Sequence, residues 1–237
     1  NAVGVAVALA DKLETLVGLF GIGNLPTGDK DPFALRRHAL GVVRIVVEKQ
    51  LPLDLSSLAA AACLGFRSMV IPNEVLQSFY QFVYDRFAGL LREQGYNSQE
   101  VESVMSQNPE RLMEVPKRLE AVRAFARLPE APALAAANKR IGNILKKAEA
   151  DEAVQAQVDG ALLQEPAEQS LYAAMQQTVP QADAQFDAGD YTASLQTLAR
   201  LREPVDAFFD GVMVNADDAA LRRNRQGLLK TLHLAMN

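Results

Sequence analysis

Tryptophan is absent from this sequence, cysteine occurs once and histidine twice, and aromatic residues make up only 6% of it. A single Cys63 excludes an internal disulfide. Together with His38 and His233 it is too little to assemble a metal site of zinc-type spacing, so no metal ligands are expected. Long apolar runs are missing as well: the opening NAVGVAVALADKLETL reaches charge at Asp11 and Lys12 before it could span a bilayer. No basic leader or cleavage site accompanies that stretch, so the expectation is a cytoplasmic protein without a membrane partner. Met does not stand first and the chain opens inside a helical pattern, which reads as a segment cut from a longer protein.

Of the 237 residues 49% are hydrophobic, enough to fill the core of one large or two ordinary domains. The formal charge of −5 argues against indiscriminate coating of nucleic acid, but the charge is unevenly spread. Residues 150 to 190 hold eight Asp or Glu and no Lys or Arg. Just before them stand Lys139, Arg140, Lys146 and Lys147, and near the end Arg222, Arg223, Arg225 and Lys230. Two basic islands therefore flank an acidic stretch.

Apolar residues recur at helical spacing nearly everywhere and nowhere alternate long enough for a strand, so the fold class is all-α. Between Asn73 and Gln94, Val75, Leu76, Phe79, Val83, Phe87, Leu90 and Leu91 line one helix face, and Gly95 ends it. Asn97 or Ser98 caps a short helix. Prolines 109, 116, 129 and 132 divide the next stretch of chain into short helices and mark a boundary around 129 to 135. Beyond it, helices are expected over 137–150, 170–177 and 191–202. A further helix opens near Pro204 with Val205, Phe208, Phe209, Val212 and Met213 on its apolar face, and a last one starts at Asp217 or Asp218.

The segment GLFGIGNLPTGDKDPFALRRHAL lacks the Gly-Lys-Ser/Thr ending of a phosphate-binding loop and follows no strand, so it reads as punctuation, with Asp31 and Pro32 opening a helix. Arg36 and Arg37 on that helix are candidates for contact with RNA phosphate or a partner subunit. The basic islands are stronger candidates. Arg140, Asn143 and Lys147 share a face opposite Ile141, Ile144 and Leu145, and combine charges for phosphates with an amide for base edges; Lys139 and Lys146 broaden the field. In the second island Arg222 and Arg225 share a face and are chosen over Arg223, because neighbours are turned by about 100°. A solvated helix face is the competing account of both islands. Tyr172, Phe186 and Tyr191 would stack on a base or, at helical spacing, belong to a core.

The stretch ALADKLETLVGLFGIGNLPTGDKDPFALRRHALGVVRIV strongly resembles the beta subunit of bacterial glycyl-tRNA synthetases built from alpha and beta subunits. REPVDAFFDGVMVNADDAALRRNRQGLLKTL looks like the end of the same subunit, and AAANKRIGNILKKA resembles the first helix of the anticodon-binding domain shared with arginyl-tRNA synthetases. The resemblance implies a helical body segment over 1–135 and a helical-bundle anticodon-binding domain over 136–237. It implies glycine tRNA and the alpha subunit as partners, in a tetramer of two alpha and two beta subunits, with Lys139, Arg140, Asn143, Lys146, Lys147, Arg222 and Arg225 as tRNA-binding residues. ATP and magnesium would serve the complete ligase at an alpha-subunit site, leaving no cofactor and no catalytic residue here. A different class of function is a scaffold for subunit assembly, presenting the Phe79 to Leu91 stripe to another protein. ALADKLETL also resembles the last metal-site helix of HD-type phosphohydrolases, with Asp11 as the closing ligand, but the histidines such a site needs upstream are absent, so only an HD-like remnant is expected at the start.

Overall fold

The computed structural model describes residues 1–66, 70–150 and 152–236. These form α-helices and short 3-10 turns, and among the described residues strand-like pairing is confined to one isolated bridge between Thr27 and Lys30. The chain divides into two compact units, Asn1–Leu119 and Glu120–Asn237, the division falling inside a helix.

The first unit holds α1 (Ala2–Gly21), α2 (Leu35–Glu48), α3 (Leu55–Cys63), α4 (Asn73–Glu93), α5 (Ser98–Met105) and the start of α6 (Val115–Ala126). Helix α4 follows the apolar period read from sequence, and its Phe79, Val83, Phe87 and Leu91 are buried against α1 and α2. Phe20 of α1 meets Phe79 edge-on at 6.1 Å between ring centroids and Phe82 at 5.3 Å. This corrects the surface invoked for subunit assembly: the stripe is the core of its own unit, where each large side chain gains about 1.5–3 kcal/mol from burial. Asn97 caps α5 through a reciprocal box, accepting from the Glu100 backbone N–H at 2.9 Å while its own N–H donates to the Glu100 carboxylate at 2.8 Å.

The glycine-rich segment before α2 is a tight turn. Gly23 (φ +77°) and Gly28 (φ +50°) take left-handed backbone, and the Thr27–Lys30 bridge closes the loop. Asp31 is not the first cap residue in sequence order, since α2 begins only at Leu35. A turn at Asp31–Ala34 intervenes, and the Asp31 carboxylate reaches across it to accept from the backbone N–H groups of Leu35 (2.8 Å) and Arg36 (3.0 Å). The Arg36 guanidinium donates back to the Gly28 carbonyl, tying helix to loop.

The second unit contains α7 (Ala131–Ala148), α8 (Pro166–Asp187), α9 (Tyr191–Leu198), α10 (Arg202–Gly211) and α11 (Ala219–Met236). Its core brings Leu134 and Ile141 of α7, Leu171 of α8, Phe208 of α10 and Leu228 and Leu232 of α11 together. Several helix ends differ from expectation, each for a local reason. Pro132 sits in the first turn of α7 and so opens it six residues before Ala137 rather than breaking it. Pro166 does the same for α8, which runs on through Pro180, an exposed position. Helix α10 stops at Gly211, leaving Val212 extended and buried and Met213 exposed. At the start of α11 it is Asp218 that accepts from the backbone N–H groups of Ala220 and Leu221. Those two bonds, Leu221 first, hold its carboxyl below the usual carboxylate range.

Candidate nucleic-acid interface

Within the second unit the outer face of α7, the segment 152–162 and the first turns of α11 enclose a groove of about 1210 Å³. Lys139, Arg140, Asn143 and Lys147 line it from one side and Arg222 and Arg223 from the other, so the two basic islands, some eighty positions apart, meet in one place. Among the described lining residues five are cations and two, Glu152 and Asp159, are carboxylates; the local field is positive although the whole chain is acidic.

The wall formed by 152–162 is seated on α11 by two sequence features. Asn224, buried, pairs with the Asp159 backbone both ways, its Oδ1 accepting from the N–H at 2.7 Å and its Nδ2 donating to the carbonyl at 3.1 Å. One turn on, Gly227 lets the Gln157 carbonyl approach so closely that a Cβ there would stand 2.1 Å from the oxygen. The Asp159 carboxylate is turned to its own chain, accepting from the Ala161 N–H at 2.9 Å.

The expected site residues separate accordingly. Lys139, Arg140, Asn143 and Lys147 are exposed and line the groove; Lys146 is exposed on α7 outside it. The Arg140 guanidinium lies over the Phe209 ring of α10, 4.2 Å from its centroid. Arg222 is half-buried at the groove edge, donating to the Ala216 carbonyl at 2.9 Å. Arg225 departs from the expected outward position: it is 6% exposed, ion-paired to the fully buried Glu168 and donating to the Met213 carbonyl at 2.9 Å. Buried on both sides, that guanidinium is not available to a polyanion. Arg223, passed over in the sequence, is exposed and lines the groove in its place. The signal was present: Arg225 stands three and four residues before Leu228 and Leu229, on the apolar stripe.

Arg36 and Arg37 belong to the first unit; Arg36 is held by Gly28 and Arg37 is exposed. Of the aromatic candidates Tyr191 is buried, Tyr172 packs against the second unit's core, and Phe186 is exposed with its ring 4.9 Å from that of Tyr191. Asp11 is exposed beside Lys12, and among the described residues no group of three His, Cys, Asp or Glu side chains is placed to hold a metal ion. Nor is any described helix long and apolar enough to cross a membrane.

Comparison with known proteins accounts for both units. Residues 1–106 match the family model described as glycyl-tRNA synthetase beta subunit, and residues 134–237 the one described as DALR anticodon binding domain. The chain is 70% identical over all of its 237 residues to a glycine--tRNA ligase beta subunit of Polaromonas naphthalenivorans, covering 33% of that protein. It is 67% identical over 235 residues to one of Acidovorax sp. strain JS42 and 64% identical over 237 residues to one of Leptothrix cholodnii, covering 32% and 33% of them. It thus spans about a third of the length of the curated relatives it matches. With a beta-subunit body in its first half, an anticodon-binding bundle in its second and relatives similar from end to end, the chain belongs to the glycyl-tRNA synthetase beta subunit family.

Proposed function

We propose that this chain is the tRNA-recognising part of a glycyl-tRNA synthetase beta subunit, and that the groove between α7 and α11 receives the anticodon arm of glycine tRNA. The observation that carries this is the convergence of Lys139, Arg140 and Lys147 with Arg222 and Arg223 on one amide-bearing groove, inside the region that matches an anticodon binding domain. Cations neutralise closely spaced loop phosphates and amides hydrogen-bond to unstacked base edges, which is what an anticodon loop presents. Lys146, exposed on α7 outside the groove, extends the field toward the rest of the RNA, and Arg37, exposed in the first unit, is a separate contact for RNA phosphate or a neighbouring subunit. The mechanism is positioning: binding at the anticodon arm holds the acceptor end at the alpha-subunit site, where glycine is joined to tRNA with ATP and magnesium. The working assembly is a cytoplasmic tetramer of two alpha and two beta subunits.

The test is a salt titration of the chain with glycine tRNA. Replacing Arg140→Gln together with Lys147→Gln keeps helix propensity and removes two charges, so the slope of log affinity against log salt should fall in magnitude by roughly 1.4–1.8. Arg92→Gln with Lys117→Gln, both exposed in the first unit, is the charge-matched control. Equal losses of affinity and equal slopes in the two double variants would reduce the groove to general electrostatics.

A further inference from the structure

The cations of the groove are not equivalent. Lys139 and Lys147 are flexible point charges on an exposed face, suited to phosphate. Arg140 is seated instead, its Cζ 4.2 Å from the centroid of Phe209. That ring is itself held, half-buried against the core and edge-on to Phe208 at 5.5 Å. No described carboxylate is paired with Arg140, so its planar group is fixed by an aromatic ring while its charge stays open to the groove. Asn143 stands three residues along α7 on the same face, and Gln155, Gln157 and Asn215 add further amides.

We propose that Arg140, seated on Phe209, is a stacking platform for one unpaired base of the RNA that enters the groove, with Asn143 placed to read the edge of that base; this rests on the groove receiving an anticodon arm. Guanidinium planes and aromatic rings are the surfaces on which splayed single-stranded bases stack, and stacking alone accepts any base. Discrimination needs a neighbouring donor and acceptor pair in the plane of the base, which an amide supplies. Seating the guanidinium before the ligand arrives removes much of the ordering cost of the contact. The arrangement adds to the charge of Arg140, which still counts toward the salt slope, a base-stacking role that Lys147 lacks.

The chain is titrated with stem-loop RNAs carrying the anticodon arm of glycine tRNA, each with 2-aminopurine at one loop position. Binding should quench the fluorescence at one position. Arg140→Lys keeps the charge and removes the plane: it should abolish that quench and weaken binding roughly 5- to 150-fold, with the salt slope unchanged. Lys147→Gln should keep the quench and lower the slope by roughly 0.7–0.9. Arg140 is exposed, so circular dichroism of Arg140→Lys should match the parent. An Arg140→Lys chain that binds and quenches like the parent, or a parent that quenches no loop position, overturns the platform and leaves the anticodon-arm reading in place. If no stem-loop binds at all, the reading and the platform fall together.

Discussion

Arg222 and Arg225 sit one helical turn apart in α11 and do different work, the first at a groove edge and the second inside the fold. Around Arg225 the fully buried Glu168 carboxylate also accepts from the backbone N–H groups of Gln164 and Glu165, both at 2.9 Å, so one carboxylate joins the start of α8 to α11. Removing the arginine strands that charge. Arg225→Ala should cost about 3–5 kcal/mol, read from the denaturant midpoint, whereas Arg223→Ala, exposed, should stay within about 0.5 kcal/mol. Similar losses in the two would show that the pair is not buried as described. His233 gives a pH test. Its Nδ1–H donates to Asn138 Oδ1 at 2.6 Å. Burial first, then the charge of Lys230, push its pKa below the ordinary 6.5, against an opposing pull from Glu149. The unfolded chain therefore takes up the proton at higher pH than the folded one. The contribution to stability is complete above pH 6.5, falls as the pH drops through that value, and levels off below the depressed folded pKa. Between about pH 7.5 and about pH 5.5 the melting temperature of the parent should fall more than that of His233→Gln. Parallel pH profiles would refute it.

Local chemistry determines most of the elements. The Asn97–Glu100 box starts α5, Asp190 starts α9 by accepting from the Ala193 N–H at 3.0 Å, and Asp218 starts α11. The loop before α2 depends on backbone freedom at Gly23, where an added Cβ would meet no heavy atom within 4 Å. Any cost of a side chain there is torsional alone. Gly23→Val should destabilise the first unit by about 1–3 kcal/mol and Gly23→Asn by less, because Asn tolerates left-handed backbone. Equal midpoints for Val and Asn would mean that the positive torsion is not what the loop requires.

For the whole molecule the decisive quantity is the distribution of charge, not its sum: an acidic chain turns five cations toward one groove. The proposed role, recognition of tRNA without bond chemistry, is tested on the chain as a whole. Incubated with ATP, magnesium, glycine and tRNA, the chain by itself should form no glycyl-tRNA above a protein-free control. Charging in a preparation shown to lack the alpha subunit would contradict that division of labour.

The sequence alone determined what depends on neighbours along the chain. The α4 stripe from Phe79 to Leu91, the cap at Asn97 or Ser98, the Asp190 start and the cationic face of Arg140, Asn143 and Lys147 arise from spacing and capping chemistry that act within a few residues. Family membership was equally legible, since its motifs run through both halves. Tertiary structure decided the rest. Pro132 and Pro166 are local signals that open α7 and α8 ahead of the apolar pattern, whereas α10 yields at Gly211 where Val212 turns inward to the core. The inward place of Arg225 was legible from its position on the Leu228 and Leu229 stripe, but its partner Glu168, 57 positions away, was not. The seat of Arg140 on Phe209 and the wall pinned by Asn224 and Gly227 join residues far apart in sequence. Such pairings have no local signature, because the energy that selects them exists only once the helices have packed.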